Sequence, residues 1–231
     1  MHTGVFRLAL LGALVMLAAT PFMTISAPTC APLEAPAIIA FELVRSLSDV
    51  QQVLGRPGEA CHALIAPQLD QANIIDTFVY IPAYTAFFAL VAYGLAGPAR
   101  RAGLLAAGLT LACALADLIE NASLLKLSAA PDEPTAFLPA LIIATNVKWV
   151  GLGLVTGFCG LLLSRRGGLW RLALPVCCLP LAVSVFAIID PRAAGPFFLY
   201  GLGGASLCLL LVAVQGALQP ARSASAAAPE P

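Results

Sequence analysis

Six apolar runs of about 20 residues punctuate this 231-residue chain, and no other feature restricts its fold as strongly. At a 1.5 Å rise per residue, a run of that length crosses the ~30 Å hydrocarbon core of a bilayer as a helix. The runs fall at about 5–26, 73–97, 102–125, 136–163, 169–190 and 196–218. Helix-ending or charged residues separate them: Gly97-Pro98-Ala99-Arg100-Arg101, Pro131-Asp132-Glu133-Pro134, Ser164-Arg165-Arg166-Gly167-Gly168 and Asp190-Pro191-Arg192. No run alternates with period two, so a transmembrane barrel is excluded. The expected fold class is all-α: a polytopic transmembrane bundle of six spans, forming one domain over residues 1–218. Composition agrees. With 60% hydrophobic and 10% charged residues, the chain departs in both figures from the ~45–50% apolar and ~25% charged composition of a soluble globular domain. Its 12 Lys+Arg balance 12 Asp+Glu, and no basic run is interleaved with aromatics, which leaves no footprint for nucleic acid.

Charge placement suggests an orientation. With the N-terminus cytoplasmic, the inner face collects Arg7, Arg100, Arg101, Arg165, Arg166, Arg171 and Arg222, and the outer face only Arg45, Arg56, Lys126 and Arg192. That follows the positive-inside rule for a multi-pass protein of a bacterial inner membrane with both termini cytoplasmic. Residues 219–231, rich in Ala, Ser and Pro, read as a disordered cytoplasmic tail. Leu8–Ala19 also resembles the core of a signal peptide, but Ile25-Ser26-Ala27 followed by Pro28 fits a cleavage site badly, so an uncleaved span is expected.

The one long connection, residues 27–72, is expected in the periplasm. Within it Leu43, Leu47, Val50 and Leu54 recur at i, i+4, i+7 and i+11, the pattern of an amphipathic helix, stopped by Gly55-Arg56-Pro57-Gly58. Cys30 and Cys61 flank that helix and are expected to form a disulfide in an oxidising compartment. The other cysteines, Cys113, Cys159, Cys177, Cys178 and Cys208, lie in apolar helix and read as small buried hydrophobes. With two histidines, His2 and His62, no haem, His-rich zinc site or Ser-His-Asp machinery is indicated. Nucleotide-binding and metalloprotease motifs are absent, and neither metal nor cofactor is expected.

Four ionisable residues fall inside the spans: Asp76, Asp117, Glu120 and Lys148. Each costs about 2.5–3.5 kcal/mol near a helix centre, so they are expected to face the bundle interior and one another. Lys148 lies ~18 Å from the outer end of the fourth span and Asp117 ~12–16 Å from that of the third, which predicts an Asp117–Lys148 ion pair. Asp117, Glu120 and Asn121 share one helix face at i, i+3 and i+4; Asp76, Tyr80 and Tyr84 line a stripe at i, i+4 and i+8. Converged, the faces make a polar pocket in the outer half of the bundle, open toward the periplasm. Three carboxylates facing one ammonium suit acid/base chemistry, a proton relay or a cation site, and equally a structural clamp. Gly153 and Gly157 form a G-x-x-x-G packing motif, and Pro82, Pro175 and Pro180 interrupt spans.

The elements Phe41-Glu42-Leu43, Asp76-x-x-x-Tyr80-x-x-x-Tyr84, Ala116-Asp117-x-x-Glu120-Asn121 and Lys148-Trp149 together resemble a group of uncharacterised bacterial polytopic inner-membrane proteins, over roughly residues 38–150. The resemblance brings no activity. It implies that Glu42 belongs with the pocket, with the loop helix lying over the pocket's mouth. Three readings follow: binding or handling of a membrane lipid or amphipathic small molecule, an intramembrane acid/base enzyme acting on a lipid, or a non-catalytic subunit or assembly factor. The residues name no protein partner.

Overall fold

The computed structural model describes residues 3–97 and 99–219. The Ala/Ser/Pro-rich tail therefore lies almost entirely outside the described residues. Helices α1 (Thr3–Ala19), α5 (Ile81–Ala96), α6 (Arg100–Ala129), α7 (Leu138–Ser164), α8 (Ala173–Ile189) and α9 (Pro191–Leu218) form the bundle. Short helices α2 (Ala37–Glu42) and α3 (Leu47–Leu54) and the longer α4 (Ala60–Ile75) lie between α1 and α5. Among the described residues there is no strand, and six continuous helical stretches are long and apolar enough to cross a membrane. The protein is an all-α, multi-pass membrane protein.

Each spanning helix packs beside its neighbour in sequence, and α1 closes the ring by packing against both α5 and α9. Small residues set the spacing, because lipid supplies no hydrophobic drive for one apolar helix to seek another. A Cβ at Gly153 would lie 2.5 Å from Leu181 Cα, and one at Gly160 2.6 Å from Cys177 Cβ, so α7 and α8 touch backbone to backbone. Gly157, the second glycine of the sequence motif, packs more loosely, 3.5 Å from Cys178 Sγ. At the end of the bundle where α1 begins and α9 ends, Phe6 is fully buried, its ring fitted against Gly94 and Gly216.

The second span differs from the sequence expectation. Its helix begins at Ala60, so helical structure runs from Ala60 to Ala96, 37 residues, and the long connection ends near residue 59. At 1.5 Å per residue this is ~55 Å if straight, well beyond the hydrocarbon core. Polar Gln68, Asp70, Gln71 and Asn73, with Pro67, mimic a boundary in the sequence. Helix continues through them because Ile65, Ala66, Leu69 and Ala72 form one buried face. Gln68 Oε1 meanwhile accepts from the Ser26 and Ala27 N–H groups at 2.9 and 3.1 Å, tying down the segment after α1. Pro82 lacks an N–H, and its ring opposes the carbonyl four residues back. The turn before it, Asp76–Tyr80, is widened into a π turn in which the Ile81 N–H donates to the Asp76 carbonyl. The last span likewise starts early, at Pro191: Asp190 caps it by accepting from the Ala193 N–H at 3.1 Å, and Pro196 lies within the helix.

The loop helix expected over Leu43–Leu54 is confined to α3, Leu47–Leu54, while Leu43 caps the separate α2. Ser46 breaks it by capping α3, accepting from the Asp49 N–H at 3.2 Å while Asp49 Oδ2 accepts from the Arg45 N–H at 2.9 Å. Leu47 consequently faces outward, and the buried face of α3 is Val50, Val53 and Leu54. These three join Phe41, Ile65, Leu69, Leu127 and Leu141 in a separate apolar core between α2, α3, α4 and the adjoining ends of α6 and α7. α2 and α3 form a lid over this end of the bundle. The Cys30–Cys61 disulfide anchors it, with Cα atoms 5.3 Å apart. Gly55, at φ +72°, turns beside the bridge where a Cβ would lie 2.5 Å from Cys30 Sγ, so neither backbone nor space admits a side chain.

Candidate functional site

Four elements carry the polar cluster: the end of α2, the π turn with α5, the middle of α6 and the middle of α7. Lys148, on α7, is the hub. Its Nζ donates to Glu42 Oε2 at 2.9 Å and to Glu120 Oε1, and lies 3.2 Å from Asp117 Oδ1. Only 4% of Lys148 is exposed, and Asp117 and Glu120 are as deeply buried. An ammonium has three protons and no acceptor, so three carboxylates saturate it.

The remaining groups extend the network. Tyr84 OH donates to Asp117 Oδ2 at 2.9 Å, and Trp149 Nε1 donates to Glu42 Oε2 at 3.1 Å. Thr145 Oγ1 reaches the Glu42 carbonyl at 3.3 Å, pinning α2 to α7 from a second side. Asp76 has no ion-pair contact with Lys148; its Oδ2 accepts from Asn121 Nδ2 at 2.6 Å, and the same amide group donates to Thr77 Oγ1 at 3.1 Å. Tyr80 stacks edge-on against Tyr84, ring centroids 6.1 Å apart. Outside the spans, burial pushes the Glu42 carboxyl above its ordinary range against the opposing pull of Lys148.

Asp117 and Lys148 therefore meet as the depth argument expects, but Lys148 is shared with Glu42 and Glu120. Sequence reasoning did not place Trp149, Thr77 or Arg45 in the site. Trp149 follows Lys148 directly, and its N–H is a group that needs a partner when buried. Arg45 Nη2 lies 3.5 Å from Asn146 Oδ1, so Asn146, which turns away from Lys148, contacts the lid.

A cavity of about 410 Å³ opens beside the cluster, within the range of small-molecule sites. Glu42, Asp76, Tyr80, Tyr84, Asp117 and Lys148 form its polar wall; Met16, Ile39, Phe88, Trp149, Leu199 and Leu202 line the apolar side. Glu120 and Asn121 stand behind this wall and position it. The Lys148 ammonium occupies the centre of the carboxylate cluster. Cys30, Glu59 and Cys61 also bring metal-ligand types together, but the two sulfurs are consumed by the disulfide. Glu120 Oε2 is buried with no hydrogen-bond partner, and Asp117 Oδ1 meets only the Lys148 ammonium, as an ion pair. Compared with protein-family models, curated proteins and solved structures, the chain matches none.

Proposed function

We propose that this is a bacterial inner-membrane protein with both termini cytoplasmic, whose pocket opens toward the periplasm and binds or handles a lipid or amphipathic small molecule. The observation that carries the reading is the composition of the cavity: one wall of charged and tyrosine side chains, the other apolar, beneath a disulfide-anchored lid. Such two-faced lining matches a molecule with a polar head and an alkyl body. The orientation rests on seven Arg on the inner side against four Lys/Arg on the outer. An oxidising outer compartment also suits the Cys30–Cys61 bridge.

The test is to isolate the protein in native-membrane discs and identify bound molecules by mass spectrometry. A stoichiometric amphiphile is expected with the natural chain and should be lost when Leu202→Trp fills the cavity without altering a charge. Retention of the same molecules by both proteins would refute the pocket. A reporter fused after Gln219 that is active only when exported would refute the orientation.

An acid/base enzyme acting on the same molecule is the second reading, favoured by the Tyr84–Asp117–Lys148 chain of contacts. Turnover of the identified amphiphile, abolished by Tyr84→Phe, would establish it. A purely structural role, as in an assembly subunit, predicts that no molecule accompanies the purified protein.

A further inference from the structure

Resting on the pocket reading, we infer that the ligand is a single-chain amphiphile with a primary ammonium head, and that its chain lies in a lateral groove between α1 and α9. Head and chain are argued from different observations.

For the chain, α1 and α9 are antiparallel and diverge. At the terminal end they are clamped, with Phe6 fully buried against Gly216 and Thr3 Oγ1 donating to the Gln219 carbonyl at 3.5 Å. Toward the lid they part around a second cavity of about 280 Å³. Met16, Thr20, Tyr80, Trp149, Leu199 and Leu202 line both this cavity and the polar pocket, so the two adjoin across a shared wall. From Leu199 to Leu210 the groove follows α9 for eleven residues, ~16 Å, about half the hydrocarbon core and hence one leaflet deep. Its rim residues Leu17, Leu199 and Leu207 are 59%, 53% and 58% exposed, so the groove opens on the bundle's lipid-facing surface. Gly203 borders it as an exposed residue, and a Cβ there would meet nothing within 4 Å.

For the head, the polar wall has acceptors to spare and its cation is already engaged. Lys148 is surrounded by Glu42, Asp117 and Glu120, Tyr84 donates to Asp117, and Trp149 donates to Glu42. Asp76 adds a further carboxylate on the cavity beside Glu42 and Asp117, and it makes no ion pair with Lys148. An anionic head would meet carboxylates with Lys148 already committed. An ammonium supplies both the donors and the charge that the wall lacks.

Trp149 reports on both cavities, and Trp170→Phe leaves it as the sole tryptophan. The protein with that substitution, in lipid nanodiscs, is titrated with dodecylamine, dodecanol and dodecyl phosphate, each brominated on the chain, while Trp149 quenching is followed. Dodecylamine is expected to quench saturably, with affinity on the order of tenfold or more above either other probe. Gly203→Phe, and independently Leu17→Trp read by displacement of bound dodecylamine in mass spectrometry, should weaken binding by on the order of tenfold. Gly108→Phe, at a glycine equally open but on α6 away from the groove, should leave it unchanged. Equal or tighter binding of dodecanol or dodecyl phosphate overturns the ammonium head. Unchanged binding in both groove variants overturns the chain path. Failure of all three probes to quench saturably overturns the pocket reading itself.

Discussion

The lid layer and the spanning bundle are built from the same apolar residue types, yet different forces hold them. In the lid layer Phe41, Val50, Leu54, Ile65 and Leu69 are fully buried in a core assembled from the short helices α2 and α3 against α4 and the adjoining ends of α6 and α7. There, removal of branched aliphatics from water supplies the stability, and a disulfide limits the unfolded alternatives. In the bundle, large aliphatics such as Leu105, Leu115 and Ile143 point outward, while Gly153, Gly160 and Gly216 face neighbouring helices. Burial of apolar surface gains little there, so close backbone contact and the Lys148 network do the joining. The two regions meet at Glu42, a lid residue whose carboxylate is bound by a spanning helix.

This contrast is most exposed to failure at Lys148. Lys148→Met leaves Glu42, Asp117 and Glu120 without their shared cation, and should destabilise by at least about 3–5 kcal/mol in a detergent-unfolding titration. Asp117→Asn should cost less, because Lys148 keeps two carboxylate partners. Equal losses for the two variants would mean that the pairing is not shared. Next in size, reduction of Cys30–Cys61, separated by 31 residues, should destabilise the lid layer by ~3.5–4 kcal/mol on loop entropy. Hydrogen exchange should rise in α2 and α3 while the bundle stays protected; uniform exchange would show that the two regions unfold as one.

Inside the bundle, Gly216→Leu drives a side chain into the ring of Phe6, where a Cβ would already lie 2.5 Å from it. A loss of about 1–3 kcal/mol is expected by thermal unfolding, with lid protection unaltered. The smallest effect belongs to the exposed tie between the layers, Arg192 to Asp49. Arg192→Ala should cost the least of these variants in the same unfolding measurement, and less still in high salt. Burial pushes the Asp49 carboxyl up, but hydrogen bonds from Arg192, the Arg45 N–H and Ser46 outweigh it and hold the group below the usual carboxylate range. A carboxylate lowered on folding contributes stability above its ordinary value, near 3.8, and loses it as pH falls through the lowered one. Lid attachment should therefore weaken below about pH 4, and Asp49→Asn should remove that part of the acid sensitivity.

Helical class, six spanning stretches and the Cys30–Cys61 pairing were legible from residue order alone. Apolar run length is a local property, and the two loop cysteines flank a single segment. The polar cluster was half legible. A charge in hydrocarbon must find a partner, so Asp117, Glu120 and Lys148 announce a shared site, whereas Trp149 offers only its place beside Lys148 and nothing local makes Thr77 part of it. The stripe Leu43-Leu47-Val50-Leu54 suggested one helix because periodicity does not register the competing cap at Ser46. The start of the second span at Ala60 was hidden because Gln68 and Asn73 look like solvent residues until the segment after α1 and the packed α6 face are in place.

By itself, then, the sequence determined that the chain is a helical membrane bundle with charges too costly to leave apart, since span length and the price of a lone ion in lipid depend on residue type and spacing. Only the tertiary structure decided that Lys148 serves three carboxylates, that Glu42 arrives from the lid, and that α1 and α9 part to open a groove. Those outcomes depend on which faces of distant helices converge, and that is settled by contacts such as Phe6 against Gly216 between residues more than 200 positions apart.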